Sequence, residues 1–243
     1  MKNFIVPIIV ALILALSFVM VANIGSNTAI SIKNKGYVTV KGFAKQDITS
    51  DLGIFEATII SENPDIKVCY AKLADDKEKV KTYLTRNFGV TKEELEIKPA
   101  EIEELYKINE RGYATDEFVK YILRQNVKVE SKDVNKISKI SEDIVNILDE
   151  GVKIRIRDPK YVYTKLEDLK IEMIGRATDN ARKRAITIAK EGKFRLGPIA
   201  DVRVGIFQIT PKNSTEVSNY GINDTSSIEK EIKSVVEIKY FVK

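Results

Sequence analysis

The chain has 243 residues, 44% of them hydrophobic and 31% charged, with 40 Lys and Arg against 35 Asp and Glu. That is an ordinary globular composition with ample length to bury a core, and its well-mixed charge leaves no nucleic-acid partner expected. It contains no His, which removes Ser-His-Asp and Cys-His catalysis, and one Cys, which removes an internal disulfide and a thiolate metal cluster.

Between Lys2 and Lys33 no residue is charged, and residues 4–24 (FIVPIIVALILALSFVMVANI) are almost wholly apolar. At about 1.5 Å per residue this run reaches roughly 30 Å, the thickness of a bilayer core. It predicts one N-terminal transmembrane helix, with residues 1–25 an anchor or signal segment and residues 26–35 a small, polar spacer. An uncleaved anchor is the favoured reading. The alternative is secretion to the periplasm after cleavage near Ala15-Leu16-Ser17, which would leave FVMVANI on the mature chain. No Cys lies near the run to carry a lipid. The positive-inside comparison sets Lys2 and the terminal amine against Lys33, Lys35 and Lys41 and favours a cytoplasmic body, but large domains translocate largely regardless of charge.

The body begins with Val38 and Val40 alternating with Thr39 and Lys41, a strand, and residues 54–60 (IFEATII) read as another. Residues 65–88 carry helical periodicity, opened by Asp65 after Pro64 and stopped by Gly89. Ile66, Cys69, Leu73 and Val80 share a face of it, so the lone Cys69 reads as a small core residue rather than a reactive thiol. A further strand spans residues 118–130. A helix is predicted over 133–150, with Val134, Ile137, Ser141, Ile144 and Leu148 on one stripe and Gly151 as its stop. Val152, Ile154 and Ile156 then alternate as a strand.

The longest helix is predicted over 166–191, with Leu166, Leu169, Met173, Ala177, Ala181, Ala185 and Ile188 together and Gly192 as the stop. Val202, Val204 and Ile206 form an alternating strand expected to keep one face on a core. Residues 211–228 (PKNSTEVSNYGINDTSSI) are a polar loop, and Val236, Ile238, Tyr240 and Val242 alternate in the last strand. Strands open and close the body with helices between, so the expected fold is α+β: a mainly antiparallel sheet packed with about three helices, over residues 36–243.

Three clusters could carry chemistry. Ser227-Ile-Glu-Lys230 matches S-x-x-K, but the S-D-N and K-T-G companions of a Ser-Lys hydrolase are missing. Glu101, Glu103 and Glu104 could supply an acid pair, though a solvated acidic face explains them as well. Arg182-Lys183-Arg184, with Lys190 and Lys193, is the densest basic stretch. It could meet anionic lipid headgroups, or simply solvate the end of the helix and complement its dipole.

Several stretches together resemble the SIMPL-domain family of bacterial envelope proteins. Gly36-Tyr-Val-Thr-Val-Lys-Gly42 is similar to its opening strand, and Gly112-Tyr113 and Gly151-Val152 resemble two further landmarks. Ala177-TDN-Ala181-RKR-Ala185-ITI-Ala189, with Gly192 and Leu196-Gly197-Pro198, resembles its long Ala-rich helix and the step into a strand. SVVEIKYFVK resembles its last strand. The likeness departs at Lys45-Gln46-Asp47, where a Pro-Asp pair is expected. The resemblance implies an envelope location with the body outside the inner membrane, and it brings no catalytic, cofactor-binding or metal residues. The expected protein is therefore a single-pass, non-catalytic envelope module, held by the inner membrane through residues 4–24, that binds a partner or forms a homo-oligomer. The alternatives are a hydrolase using Ser227 and Lys230, or a lipid-surface binder using the basic end of helix 166–191.

Overall fold

A computed structural model describes residues 13–24 and 36–243. It is α+β, with two mostly antiparallel sheets and four helices. Residues 13–24 form the first helix, α1; residues 4–12 of the expected span lie outside the described residues. Among the described residues, no helix is long and apolar enough to cross a membrane.

The strands are β1 (Tyr37–Thr49), β2 (Leu52–Asn63), β3 (Leu95–Ile108), β4 (Ala114–Ser131), β5 (Ile154–Ile156), β6 (Lys160–Val162), β7 (Leu196–Val204), β8 (Gln208–Pro211), β9 (Ile222–Asn223) and β10 (Glu229–Val242). The helices after α1 are α2 (Ile66–Phe88), α3 (Val134–Asp143), a 3-10 helix (Ile144–Glu150) and α4 (Leu166–Glu191). The body divides into two compact units, with three of the four boundaries inside β1, α4 and β10 and the fourth between β7 and β8.

One unit comprises Lys45–Lys170 and Ile206–Lys233. Its antiparallel sheet has the order β3-β4-β2-β5, with β6 also on β2. Helices α2 and α3 cover it through Cys69, Leu73, Val80, Leu84, Ile137 and Ile140, which close over Phe55, Ile59, Leu123 and Val129. Gly53 lets α3 come close, because a Cβ there would meet Ile137 Cβ at 2.9 Å. Asp65 caps α2 by accepting from Lys67 N and Val68 N, and Gly89 ends it in the left-handed region at φ 63°. Asp133 caps α3 in the same manner.

The other unit comprises the described residues up to Ala44, Ile171–Gly205 and Ser234–Lys243. Here the end of β10 lies between β1 and β7. The α4 residues Met173, Ala177, Ala181, Ala185 and Ala189 are buried, as are Val40, Val236, Ile238 and Tyr240 on the strands. Gly42 marks the contact: a Cβ there would fall 2.0 Å from Ala177 O and 2.7 Å from Ala181 Cβ.

Several expectations change in detail. Strand β3 is absent from the sequence reading, because register shifts after Ile97, Leu105 and Tyr106 break its period-two signal. The helix predicted over 133–150 is α only to Asp143. The 3-10 turn that follows has three residues per turn, so Ile147 is buried and Leu148 turns outward. In α4, Ala189 rather than Ile188 continues the buried stripe. The left-handed residue after α4 is Lys193, at φ 55°. Gly192 instead makes room for the Phe194 ring, which would lie 2.7 Å from a Cβ. The largest departure is β7, whose Val202 and Val204 are 47% and 49% exposed.

Candidate functional site

The sequence candidates do not converge. Lys230 is 2% exposed, and its Nζ donates to Tyr161 O at 2.6 Å and Asp224 O at 2.5 Å. Burial pushes its pKa down while Asp224 pulls it up. The ammonium ties β6 and the residue after β9 to the start of β10, beside a cavity of about 90 Å³ lined by Ile48, Tyr163, Leu166 and Ile209. Among the described residues no hydrogen bond joins Ser227 Oγ to Lys230 Nζ. Ser227 lends its carbonyl to Ser50 Oγ at 3.3 Å. A serine nucleophile needs its base within hydrogen-bond reach, and this lysine has turned its donors to main-chain carbonyls.

Strand alternation in β3 leaves Glu101 and Glu103 on one face and turns Glu104 to the other. Glu103 pairs with Arg124, and Glu104 accepts from the Tyr106 hydroxyl at 2.6 Å. Glu101 stands opposite Arg124 in the ladder, so Arg124 lies between Glu101 and Glu103, while Glu104 is held by Tyr106. Along α4, Arg182, Lys183 and Lys190 are exposed, while Arg184 Nη1 donates to Lys41 O at 3.1 Å. Cys69 is fully buried, its thiol 3.5 Å from Ser61 Oγ. No cluster of three or more His, Cys, Asp or Glu that could hold a metal occurs among the described residues.

The polar loop over 211–228 is tied down from several sides. Gln208 bonds Ser218 twice, donating to its carbonyl at 2.7 Å and accepting from its N–H at 3.2 Å. Lys233 Nζ donates to Ser214 O at 2.7 Å. Sequence reading also passed over Asp76, which occupies the core-facing stripe of α2 and is 1% exposed. Lys72 pairs with it and also donates to Gly151 O at 3.1 Å. An acidic residue on an apolar stripe, four positions after a lysine, was the available signal.

The arrangement with most capacity to act is apolar. Beside α4, a groove of about 430 Å³ is lined by Thr178, Arg182, Ile186, Pro198, Ile199 and Tyr240. Ile199 pairs in register with Tyr240, and Val202 with Ile238. These β7 side chains therefore share the face of the sheet on which Ile238 and Tyr240 are buried, yet remain about half exposed. Scattered apolar residues on a surface are ordinary; a contiguous row along a strand is a surface for something else to cover. Such a row can bind, and it offers no nucleophile, acid or base.

The model of the SIMPL family, described as a protein of unknown function (DUF541), matches residues 38–240. No curated protein matches the chain.

Proposed function

The chain belongs to the SIMPL family, and on that premise we propose that it is a membrane-tethered envelope module without catalytic activity, working by binding a partner or a second copy of itself. The observation that carries this reading is the exposed apolar row of β7, in a body where Lys230, Glu103 and Glu104 are engaged by other groups. A binding surface of this kind is built from a strand and needs no chemistry. The uncharged run from residues 4 to 24 supports an inner-membrane anchor, and the family resemblance supports a body on the periplasmic side.

The test has two arms. A periplasm-active phosphatase fused after Lys243 is expected to be active, with a cytosol-active reporter at the same site silent; the reverse overturns the topology. Cross-linking in intact cells is expected to capture the chain with itself or with one defined protein. Turnover of an acyl or glycosidic substrate by the purified chain overturns the non-catalytic reading.

A further inference from the structure

Among the described residues, β7 pairs with β10 along one edge and with nothing along the other. Gly205 N donates to Val235 O at 2.8 Å. In an antiparallel ladder, successive residues turn their N–H and C=O to opposite sides, so Arg203 and Asp201 also face β10. The main-chain groups of Val202 and Val204 consequently point to the open edge. Exposed edges are usually blunted by proline, bulges or inward charges. In β7 those devices sit only in the first half: Pro198, and a register irregularity at Ala200, opposite the step from Lys239 to Tyr240. From Asp201 to Val204 the ladder is regular, with Val202 and Val204 exposed.

We infer that β7 pairs antiparallel with β7 of a second copy, about a two-fold axis at Val202. The charge pattern selects both occupant and register. A two-fold axis perpendicular to the sheet places side chains of equal parity opposite one another on one face. An axis at Asp201 would set Asp against Asp, and one at Arg203 would set Arg against Arg. An axis at Val204 would leave Arg203 opposite Gly205. With the axis at Val202, Asp201 faces Arg203 of the second copy twice, and the two Val202 side chains meet. Asp201 and Arg203 already lie within 3.0 Å of each other on one strand, both exposed, so pairing extends an existing ion pair into a four-charge cluster. The irregularity at Ala200 ends the ladder on each side, which makes the contact short and its affinity modest. This inference rests on the tethered, self-assembling reading above, because two bodies held to one membrane meet at high effective concentration.

The test uses the full chain in isolated membranes under mild oxidation. Val202→Cys brings two thiols opposite each other at a hydrogen-bonded pair, with Cα atoms about 5.5 Å apart, within disulfide reach. The native Cys69 is fully buried and does not compete. Val202→Cys is expected to yield a disulfide dimer of twice the chain mass, and Val217→Cys, on an exposed loop, is expected to yield little. In the Val202→Cys background, Asp201→Arg or Arg203→Asp alone is expected to weaken dimer formation at least about tenfold, since both cross-strand pairs turn repulsive. The double exchange Asp201→Arg with Arg203→Asp is expected to restore it. Circular dichroism of each variant checks that the fold is kept. Equal cross-linking at Val202 and Val217, or failure of the double exchange to restore dimers, overturns the inference. If an amine-reactive cross-linker still gives dimers in that case, self-assembly stands and this edge does not carry it. If no reagent gives dimers, the self-assembling reading falls as well. A disulfide between Val202→Cys and a protein of different mass overturns the second copy as occupant.

Discussion

Replacing Gly42 with Ala adds one methyl group at the point where α4 crosses β1. The new Cβ would stand 2.0 Å from Ala177 O, 2.6 Å from Ala181 N and 2.7 Å from Ala181 Cβ. All three neighbours are backbone or backbone-bound atoms, so no rotamer change relieves the clash. The helix has to lift by about 1 Å or more, and a radial gap of 0.5–1 Å already forfeits roughly a quarter to a half of each dispersion contact. Overpacking of this kind costs about 1–3 kcal/mol, and the absence of any flexible neighbour puts this site at the upper end. Gly42 is not among the glycines with positive φ, so Ala suits its backbone and recovers about 0.4–1 kcal/mol by restricting the unfolded chain. The expected net loss is about 2 kcal/mol. Urea denaturation followed by the near-ultraviolet dichroism of tyrosine reads it, the chain having no Trp. With a slope of about 1–3 kcal/mol per molar, the midpoint is expected to fall by roughly 1 M. Gly36→Ala is the matched control: its Cβ would meet Val242 Cβ at 3.6 Å, an ordinary contact, and the variant is expected within about 0.5 kcal/mol of neutral. Equal midpoints for Gly42→Ala and Gly36→Ala would refute the close approach of α4 to β1.

On the same helix, Ala181→Phe is expected to destabilise clearly, by about 1–3 kcal/mol or more, while exposed Lys183→Ala stays within about 0.5 kcal/mol of neutral; thermal unfolding in the reverse order contradicts the buried Ala stripe. Gly175→Ala, inside α4 and facing open space, is expected to raise the unfolding midpoint by an amount equivalent to about 0.5–1 kcal/mol, and a drop would mean that this side of the helix is covered. Hydrogen bonds from Lys120 and then Lys153 hold the Glu62 carboxyl from its ordinary 4.5 down to about 2. The folded state therefore binds that proton less readily than the unfolded chain. Its stabilisation is present above pH 4.5 and lost as pH falls toward 2, and Glu62→Gln is expected to flatten the stability profile in that window. An acyl-serine probe is expected to label the wild type and Ser227→Ala equally; labelling lost in Ser227→Ala would favour the hydrolase.

Local order was legible because its causes are local. Asp65 and Asp133 cap helices through their own side chains, and Gly89 and Gly151 stop them by adopting positive φ, so these boundaries follow from residue type. The stripe Met173, Ala177, Ala181 and Ala185 follows from helical period alone, and so does the inward placing of Cys69. The absence of His constrains the chemistry through residue type alone. Only the tertiary structure decided which candidate groups meet. Ser227 and Lys230 are three residues apart in sequence, yet Lys230 reaches back to Tyr161, a partner that no local pattern announces. Glu103 reaches Arg124 diagonally because the register of β3 and β4 sets Arg124 opposite Glu101, on the same face as Glu103. The division into two units was likewise invisible, because β1, α4 and β10 run unbroken through three of its four boundaries. Strand β7 shows the limit most clearly. Its alternation of Val202 and Val204 with Asp201 and Arg203 states which side chains share a face. Whether a helix covers that face depends on where α4 lies across the sheet, which Gly42 and the Ala stripe set on β1, far from β7 in the sequence.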